Sequence, residues 1–299
     1  MQVTRFSSLA VAASLVVGLA FAMAACDGNP AEPVNIVDSG SWYVSGFHWP
    51  HDGTPLETAH FVVYSDAAST QARQQLADIA EDALADLKAR FGIAGDAMFR
   101  FPAGQQKIHI YAYKTYTPTE WGGRAYWGGL MIYSLDHPER GAWGHTALDM
   151  YVPVVTHEIM HVIESLLRAS NNPEQVDVWL TEGIAEFVSG GNAAPSISGK
   201  ARYDELIAQH GRLNPIAMHR YTDYPGLGLV YDYYLPMFQL AVTYLFDAQG
   251  HGASLMDLRD LYLDVRDGMS FSAAFADRLG ISVAEYEQQF FDLMNDYLE

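Results

Sequence analysis

The segment His157–His161 reads His-Glu-Ile-Met-His, with two imidazoles four residues apart and a carboxylate directly after the first. Pro153 and the apolar residues around the segment predict an α-helix. On a helix, residues four apart lie on one side, about one turn apart, so both imidazoles can bind one metal ion. Glu158 is offset by about 100°, beside the remaining coordination position of the ion. The segment therefore predicts a metal site that activates water, with Glu158 as the general base.

A second segment, Trp179–Phe187, supplies the missing ligand. A catalytic zinc takes three protein ligands and leaves the fourth position for water, so two histidines need one more donor. Glu182 follows His161 by 21 residues, an interval that fits a helix end, a loop and the start of another helix. Glu186 lies four residues further on the same face, where it is expected to accept the outer N–H of a ligand histidine. We therefore predict Zn²⁺ as the cofactor, held by His157, His161 and Glu182.

The two segments together resemble the gluzincin peptidases, the group that contains thermolysin and the aminopeptidase N family. Their motif is His-Glu-x-x-His, followed by Trp-Leu-x-Glu-Gly, an aromatic or aliphatic residue, Ala, Glu or Ser, and an aromatic residue. Trp179–Phe187 has this form. The resemblance implies zinc at His157, His161 and Glu182 and a general base at Glu158. The arrangement is most similar to the compact peptidase MA-like domains of bacteria, which implies a zinc-dependent peptidase.

Two departures from related families narrow the expected activity. Aminopeptidases of the group carry a Gly-x-Met-Glu-Asn edge strand, whose glutamate holds the free amino terminus of the substrate. The comparable strand here is predicted at Gly128–Tyr133, with Ile132 in place of that carboxylate, so an endopeptidase is expected. The metzincin peptidases are excluded because their third histidine, six residues after His161, is Leu167 here.

The resemblance also implies a tyrosine that faces the oxyanion of the tetrahedral intermediate, from the helix after the one with Glu182. Tyr234 is favoured by its spacing to Tyr244–Leu245, and Tyr231 is the next candidate. In a chain with 18 tyrosines, a residue that only packs in the core is the alternative. The strand Gly129–Ser134 is expected to lie along the cleft and to pair with an extended substrate peptide.

The first 25 residues have the pattern of a secretory signal, because Arg5 precedes an apolar run, Leu9–Ala25, that contains no acidic residue. The run leads into Met-Ala-Ala-Cys, which resembles a bacterial lipobox ending at Cys26, the only cysteine. Lipidation of Cys26 is expected, and ordinary signal cleavage that leaves a free thiol is the alternative. The protein is therefore expected to be exported and anchored to a membrane through its lipidated amino terminus.

The net charge of the 299-residue chain is −19, which argues against nucleic acid and anionic lipid headgroups as partners. The expected partners are a peptide or protein substrate and the membrane that holds the lipid anchor. The sequence does not set the oligomeric state.

The fold class expected is α+β and zincin-like: a small mixed sheet with a helix, the metal helix, and then a mainly helical half. Residues 26–55 are predicted as the lipidated terminus and linker, with a Pro-containing spacer from 27 to about 40, and 56–299 as the peptidase domain. The predicted strands are His60–Tyr64, Lys107–Tyr113 and Gly129–Ser134. The predicted helices are Thr70–Phe91, 152–168, 179–189, 201–210, 232–248, 254–264, 271–278 and 282–297.

Two alternatives to a peptidase remain open. A lipid-anchored binding or scaffolding protein could retain this fold without turnover, and a structural zinc site could serve stability alone, although such sites have four protein ligands. The other nine histidines show no ligand spacing and are predicted to be structural or surface residues: His48, His51, His60, His109, His137, His145, His210, His219 and His251.

Overall fold

The computed structural model describes residues 35–37, 41–44, 47–50, 54–65, 70–112, 122–133, 151–170, 176–190, 214, 216–217, 219–220, 234–248 and 250–298. The signal segment, Cys26, Tyr231 and the helix predicted at 201–210 lie outside these residues. The strands are β1 (Asn35–Val37), β2 (Ser41–Val44), β3 (Phe47–Pro50), β4 (Leu56–Glu57), β5 (Phe61–Ser65), β6 (Ile108–Ala112), β7 (Gly122–Tyr126) and β8 (Gly129–Tyr133). The helices are α1 (Thr70–Arg90), α2 (Tyr151–Arg168), α3 (Val178–Ser189), α4 (Leu235–Phe246), α5 (Leu255–Arg266), α6 (Phe271–Leu279) and α7 (Val283–Leu298).

A five-stranded mixed sheet, in the order β4-β5-β6-β8-β7, forms the first half of the described fold. Strands β5, β6 and β8 are parallel, whereas β4 and β7 run antiparallel to their neighbours. Trp127 and Gly128 connect β7 to β8, and Gly128 has a φ of 82°, a left-handed conformation that glycine adopts readily at the second central position of a turn. The hairpin places β7 at the edge of the sheet and β8 inside it.

Helix α2 lies between the sheet and the helical half, in contact with β7, β8, α1, α3 and α5. Its side chains from Val154 to Met160 are all buried, and so are those from Val162 to Arg168. A helix that is apolar on most of its surface is stable only when it is covered on most sides. The polar side chains that it buries, including His157 and Glu158, are therefore held inside the protein.

Strong local signals fix the boundaries of the helical half. Ser254 accepts a hydrogen bond from the backbone N–H of Asp257, whose side chain accepts one from the backbone N–H of Ser254, and this capping box starts α5. Gly280 ends α6 in the left-handed conformation, with φ 70°. No helix of the described residues has both the length and the apolarity that crossing a bilayer requires.

The small mixed sheet followed by a mainly helical half was predicted correctly, and the described helices lie close to their predicted bounds. Within the segment 26–55, predicted as the lipidated terminus and linker, β1, β2 and β3 form an antiparallel sheet. The prolines of the preceding segment suggested a linker, while the aromatic and β-branched residues of Ile36–Val37 and Trp42–Val44 were the signal for strands.

Candidate metal centre

Two helices bring the predicted ligands together. His157 and His161 lie one turn apart on α2, and Glu182 comes from the second turn of α3. The Nε2 atoms of the two histidines are 3.1 Å apart. Glu182 Oε2 lies 3.4 Å from Nε2 of His157 and 3.6 Å from Nε2 of His161. The structure therefore brings all three donor atoms together around one point. Glu182 follows His161 by 21 residues and His157 by 25 residues in the sequence.

The spacing of these atoms fits a tetrahedral metal. Four ligands around zinc at about 2.0–2.1 Å are separated from one another by roughly 3.3 Å. The three observed separations, 3.1, 3.4 and 3.6 Å, bracket that value. One imidazole nitrogen facing another at 3.1 Å without a cation between them needs a proton on one of the two. The donor set of two imidazoles and one carboxylate is also one that Zn²⁺ accepts.

Each histidine is oriented from its outer nitrogen by a different glutamate. Nδ1 of His157 lies 3.3 Å from Oε1 of Glu186, which is one turn beyond Glu182 on α3. Nδ1 of His161 lies 3.1 Å from Oε2 of Glu164, on the same helix. Carboxylates at the outer N–H fix the tautomer and leave Nε2 as the lone-pair donor. The structure thus places Glu186 where the sequence predicted it.

Glu164 was not predicted, although its position on α2, three residues after His161, is a neighbouring one on a helix. Its side chain is buried, and its Oε1 accepts a hydrogen bond of 2.6 Å from the Tyr262 hydroxyl of α5. Burial raises the pKa of the Tyr262 hydroxyl and the negative charge of Glu164 raises it further, so the hydroxyl remains a donor. Tyr262 therefore ties Glu164, and through it His161, to the helical half.

We expect the change Glu164→Gln to weaken zinc binding by about 10- to 100-fold, because an amide orients the imidazole less strongly than a carboxylate. Competition with a chromogenic chelator measures the change. Tyr262→Phe is the graded comparison, since it leaves the Glu164 contact with His161 in place and should cost less. Equal zinc affinity in Glu164→Gln and the unmodified protein would contradict this role.

Glu158 lies in a buried position between α2 and the edge strand. It is 1% exposed, and its Oε2 has no hydrogen-bond partner among the described residues. Burial raises the pKa of Glu158 to about 7, against the opposing charges of His157, His161 and Arg124. Burial also raises the pKa of Glu182, but there the two histidines outweigh it and hold the pKa well below its usual range. The two carboxyl groups therefore differ in proton affinity, as a base and a ligand must.

Gly123 on β7 makes room for Glu158. A Cβ at this position would lie 2.4 Å from Cγ of Glu158 and 2.9 Å from its Oε1. We expect Gly123→Ala to displace the Glu158 side chain and to lower the peptidase activity predicted from the sequence by at least about 10-fold, since general bases act through position. Zinc affinity should remain unchanged, which separates this effect from loss of the metal.

The matched control for Gly123→Ala is Gly95→Ala. No atom lies within 4 Å of a Cβ at Gly95, and its φ of −172° is extended backbone. Steady-state rates and zinc stoichiometry of both variants test the expectation. Full activity in Gly123→Ala would show that Glu158 does not need its present position.

Stability of the chelated protein should depend on pH through Glu158. Its pKa is higher in the folded than in the unfolded chain, so the folded state binds more protons between about pH 4.5 and 7. The free energy of unfolding, relative to Glu158→Gln, should therefore fall by up to about 3 kcal/mol as pH rises through this window, and then level off. Urea unfolding of both proteins at pH 5 and 8 measures it, and a constant difference would contradict the expectation.

Helix α3 is held in place on two sides. Trp179 is buried and stacks on Tyr286 of α7, with ring centroids 5.4 Å apart. Buried aromatic residues of this size typically contribute about 3–5 kcal/mol relative to alanine. On the other side a Cβ at Gly183 would lie 2.5 Å from the Phe238 carbonyl oxygen of α4, so only glycine permits this approach. Trp179 and Gly183 of the Trp-Leu-x-Glu-Gly segment therefore position Glu182, which lies between them in the sequence.

Tyr234 immediately precedes α4, which packs on α3. It is almost completely buried, and its ring stacks on Phe238 with centroids 6.3 Å apart. These contacts do not join its hydroxyl to the three predicted ligands, so its function as an oxyanion donor stays a prediction.

The strand expected to line the cleft was wrongly chosen. Strand β8 is paired on both sides, by β6 and β7, and cannot take a further peptide strand. The edge position belongs to β7, whose Gly123 touches Glu158. The expectation rested on the likeness of Gly128–Tyr133 to the edge strand of aminopeptidases. The apolar composition of β8 is instead typical of a strand inside a sheet.

Comparisons with known proteins add no assignment to this site. No protein-family model matches the chain. A search of curated proteins finds no significant match either. The geometry of the site is therefore the basis for a functional proposal.

Proposed function

We propose that this protein is a zinc-dependent endopeptidase of the gluzincin type, with a zincin-like fold. The observation that carries the proposal is the convergence of Nε2 of His157, Nε2 of His161 and Oε2 of Glu182 within 3.1–3.6 Å of one another. Only three donors meet there in the described part of the chain, which favours a catalytic over a closed structural site.

His157, His161 and Glu182 would hold the zinc, which would supply Lewis-acid chemistry for polarising a carbonyl oxygen and activating water. Glu158 takes the proton from the attacking water and delivers it to the leaving amine. Its buried carboxyl, with a pKa raised to about 7, is suited to both accepting and releasing a proton near neutral pH. Glu164 and Glu186 keep the two imidazoles in the tautomer that binds metal.

The edge strand β7 provides the proposed place for the substrate backbone. An extended peptide can add to the edge of a sheet through main-chain hydrogen bonds, here next to Glu158. The strand reads Gly-Gly-Arg-Ala-Tyr and contains no carboxylate to hold a free amino terminus. This composition supports cleavage at internal bonds. In the same proposal Tyr234 donates to the oxyanion.

A peptide-library digest tests the function. The protein is assayed with zinc, after chelation, and after zinc is returned, and the products are identified by mass spectrometry. We expect cleavage of internal bonds that is lost on chelation and restored by zinc. A fully zinc-loaded protein that cleaves no peptide would overturn the peptidase proposal and favour a binding protein that retained the site.

A further inference from the structure

A second group of metal-binding side chains meets at the start of α3. Asp177 directly precedes this helix, Glu287 comes from α7, and His219 comes from the described pair 219–220. Nδ1 of His219 lies 2.9 Å from Oδ2 of Asp177 and 3.5 Å from Oε1 of Glu287. All three donor atoms lie within 4.8 Å of one another. Three separate segments thus bring one imidazole and two carboxylates to one point.

The Glu287 carboxylate is buried, and its hydrogen bonding is incomplete within the described part of the chain. The residue is 9% exposed, and its Oε1 has no hydrogen-bond partner among the described residues. The single Nδ1 of His219 is already at hydrogen-bond distance from Asp177 and carries at most one hydrogen. Burial raises the pKa of Glu287 to about 7, with the charge of Asp177 adding to it and His219 opposing it. A buried acceptor of this kind costs free energy unless a cation or donor reaches it.

Hydrogen bonds fix the relative positions of the three segments that carry Asp177, His219 and Glu287. The backbone N–H of Val178 donates to the carbonyl of His219 at 3.1 Å. Nδ2 of Asn214 donates to the backbone carbonyl of Glu287 at 2.9 Å. The side chain of His219 is 48% exposed, so an ion can reach the cluster from solvent. The arrangement combines a fixed, buried carboxylate with an accessible imidazole.

We propose that Asp177, His219 and Glu287 form a second binding site, for a divalent cation of the zinc class. One imidazole nitrogen with two carboxylate oxygens is a donor set that suits Zn²⁺ and its neighbours, whereas Ca²⁺ prefers oxygen ligands alone. Three protein ligands leave positions for water, which fits the exposed side of the cluster. The site shares no residue with the one at His157, His161 and Glu182.

A cation bound to this cluster would connect three parts of the chain through Glu287 of α7, His219, and Asp177 directly before α3. Glu182 lies five residues further along that helix. Binding to the folded state alone stabilises it, so the second ion should raise Tm with a dependence on zinc concentration. It would act on the first site by holding α3, without contact with the substrate.

Zinc titration of the chelator-stripped full chain, followed by calorimetry and native mass spectrometry, tests the proposal. We expect two equivalents in the unmodified protein and loss of the second in Glu287→Gln. The matched control is Asp292→Asn, a change at an exposed position of the same helix, which should leave both zinc equivalents bound. The double change His157→Ala and His161→Ala should remove the other equivalent, so failure of one site is distinguishable from failure of the other. Equal zinc stoichiometry in the unmodified protein and in Glu287→Gln overturns the proposal, whatever the occupancy of the other site.

His219→Gln gives a second test at a half-exposed position, where the fold is not at risk. We expect at least a tenfold weaker second equivalent and a smaller rise of Tm with zinc. An unchanged second equivalent in this variant overturns the site, and a second equivalent of Ca²⁺ without one of Zn²⁺ overturns the choice of metal.

Discussion

Replacement of Glu158 by glutamine should lower the rate of peptide cleavage by about 10²- to 10⁴-fold, the range typical for loss of a general acid or base. Glutamine has nearly the same shape but cannot accept a proton from water at neutral pH. The side chain does not belong to the three that converge on the metal, so zinc stoichiometry should stay at the level of the unmodified protein. Steady-state kinetics on a peptide taken from the library digest measures the loss.

Zinc content decides how the Glu158→Gln result is understood. A loss of activity together with a loss of zinc would point to a disturbed site rather than a missing base. Glu57→Gln is the matched control, because it makes the same chemical change at an exposed carboxylate whose surface pair with Lys107 contributes little. If Glu158→Gln with full zinc cleaves as fast as the unmodified protein, the proposed mechanism is wrong.

Replacement of Glu182 by glutamine should weaken zinc binding by more than about 100-fold, beyond the effect expected for the glutamates that only orient the histidines. The change removes the one negative charge among the three donors and leaves two imidazoles at 3.1 Å. At a zinc concentration 100 times the dissociation constant of the unmodified protein, zinc stabilises that protein by about 2.7 kcal/mol. For Glu182→Gln the same concentration should give only about 0.4 kcal/mol.

Thermal unfolding with and without zinc measures this difference for Glu182→Gln. Zinc at the Asp177 cluster would add an equal contribution in both proteins, so the comparison is made in a Glu287→Gln background. Thr181→Ser, a conservative change at the preceding position, controls for disturbance of α3. An equal zinc-dependent rise of Tm in Glu182→Gln would contradict its role as a ligand.

Helices α2 and α3 were predictable because the spacing of residues close together in the sequence indicates which side chains share a helix face. Two histidines four apart must share a helix face, and Trp179 and Gly183 flank Glu182 for packing reasons that the structure makes plain. The edge strand was not predictable in the same way. Strand β7 lacks an apolar pattern and is a strand because the turn at Gly128 pairs it with β8. Its position next to Glu158 depends on sheet order, which local sequence does not contain.

The cluster of Asp177, His219 and Glu287 also could not be predicted from local sequence. Its members are separated by 42 and 68 residues, so no motif spacing connects them, and His219 was expected to be structural or at the surface. The close approach follows from the packing of α7 against α3, through Trp179 and Tyr286. Glu164 differs: it was not predicted, but its spacing of three residues from His161 on one helix was a signal that could have identified it.

The two glutamates on α3, one turn apart, have a consequence for how the metal leaves. Glu182 is the proposed donor to the ion and Glu186 lies beside Nδ1 of His157, so docking of α3 on α2 would provide both interactions at once. His161, by contrast, is steadied by Glu164 from within its own helix. Departure of the ion and separation of α3 from α2 are then thermodynamically linked. Amide hydrogens of α3 should therefore exchange with deuterium faster after chelation, while those around His161 keep more of their protection.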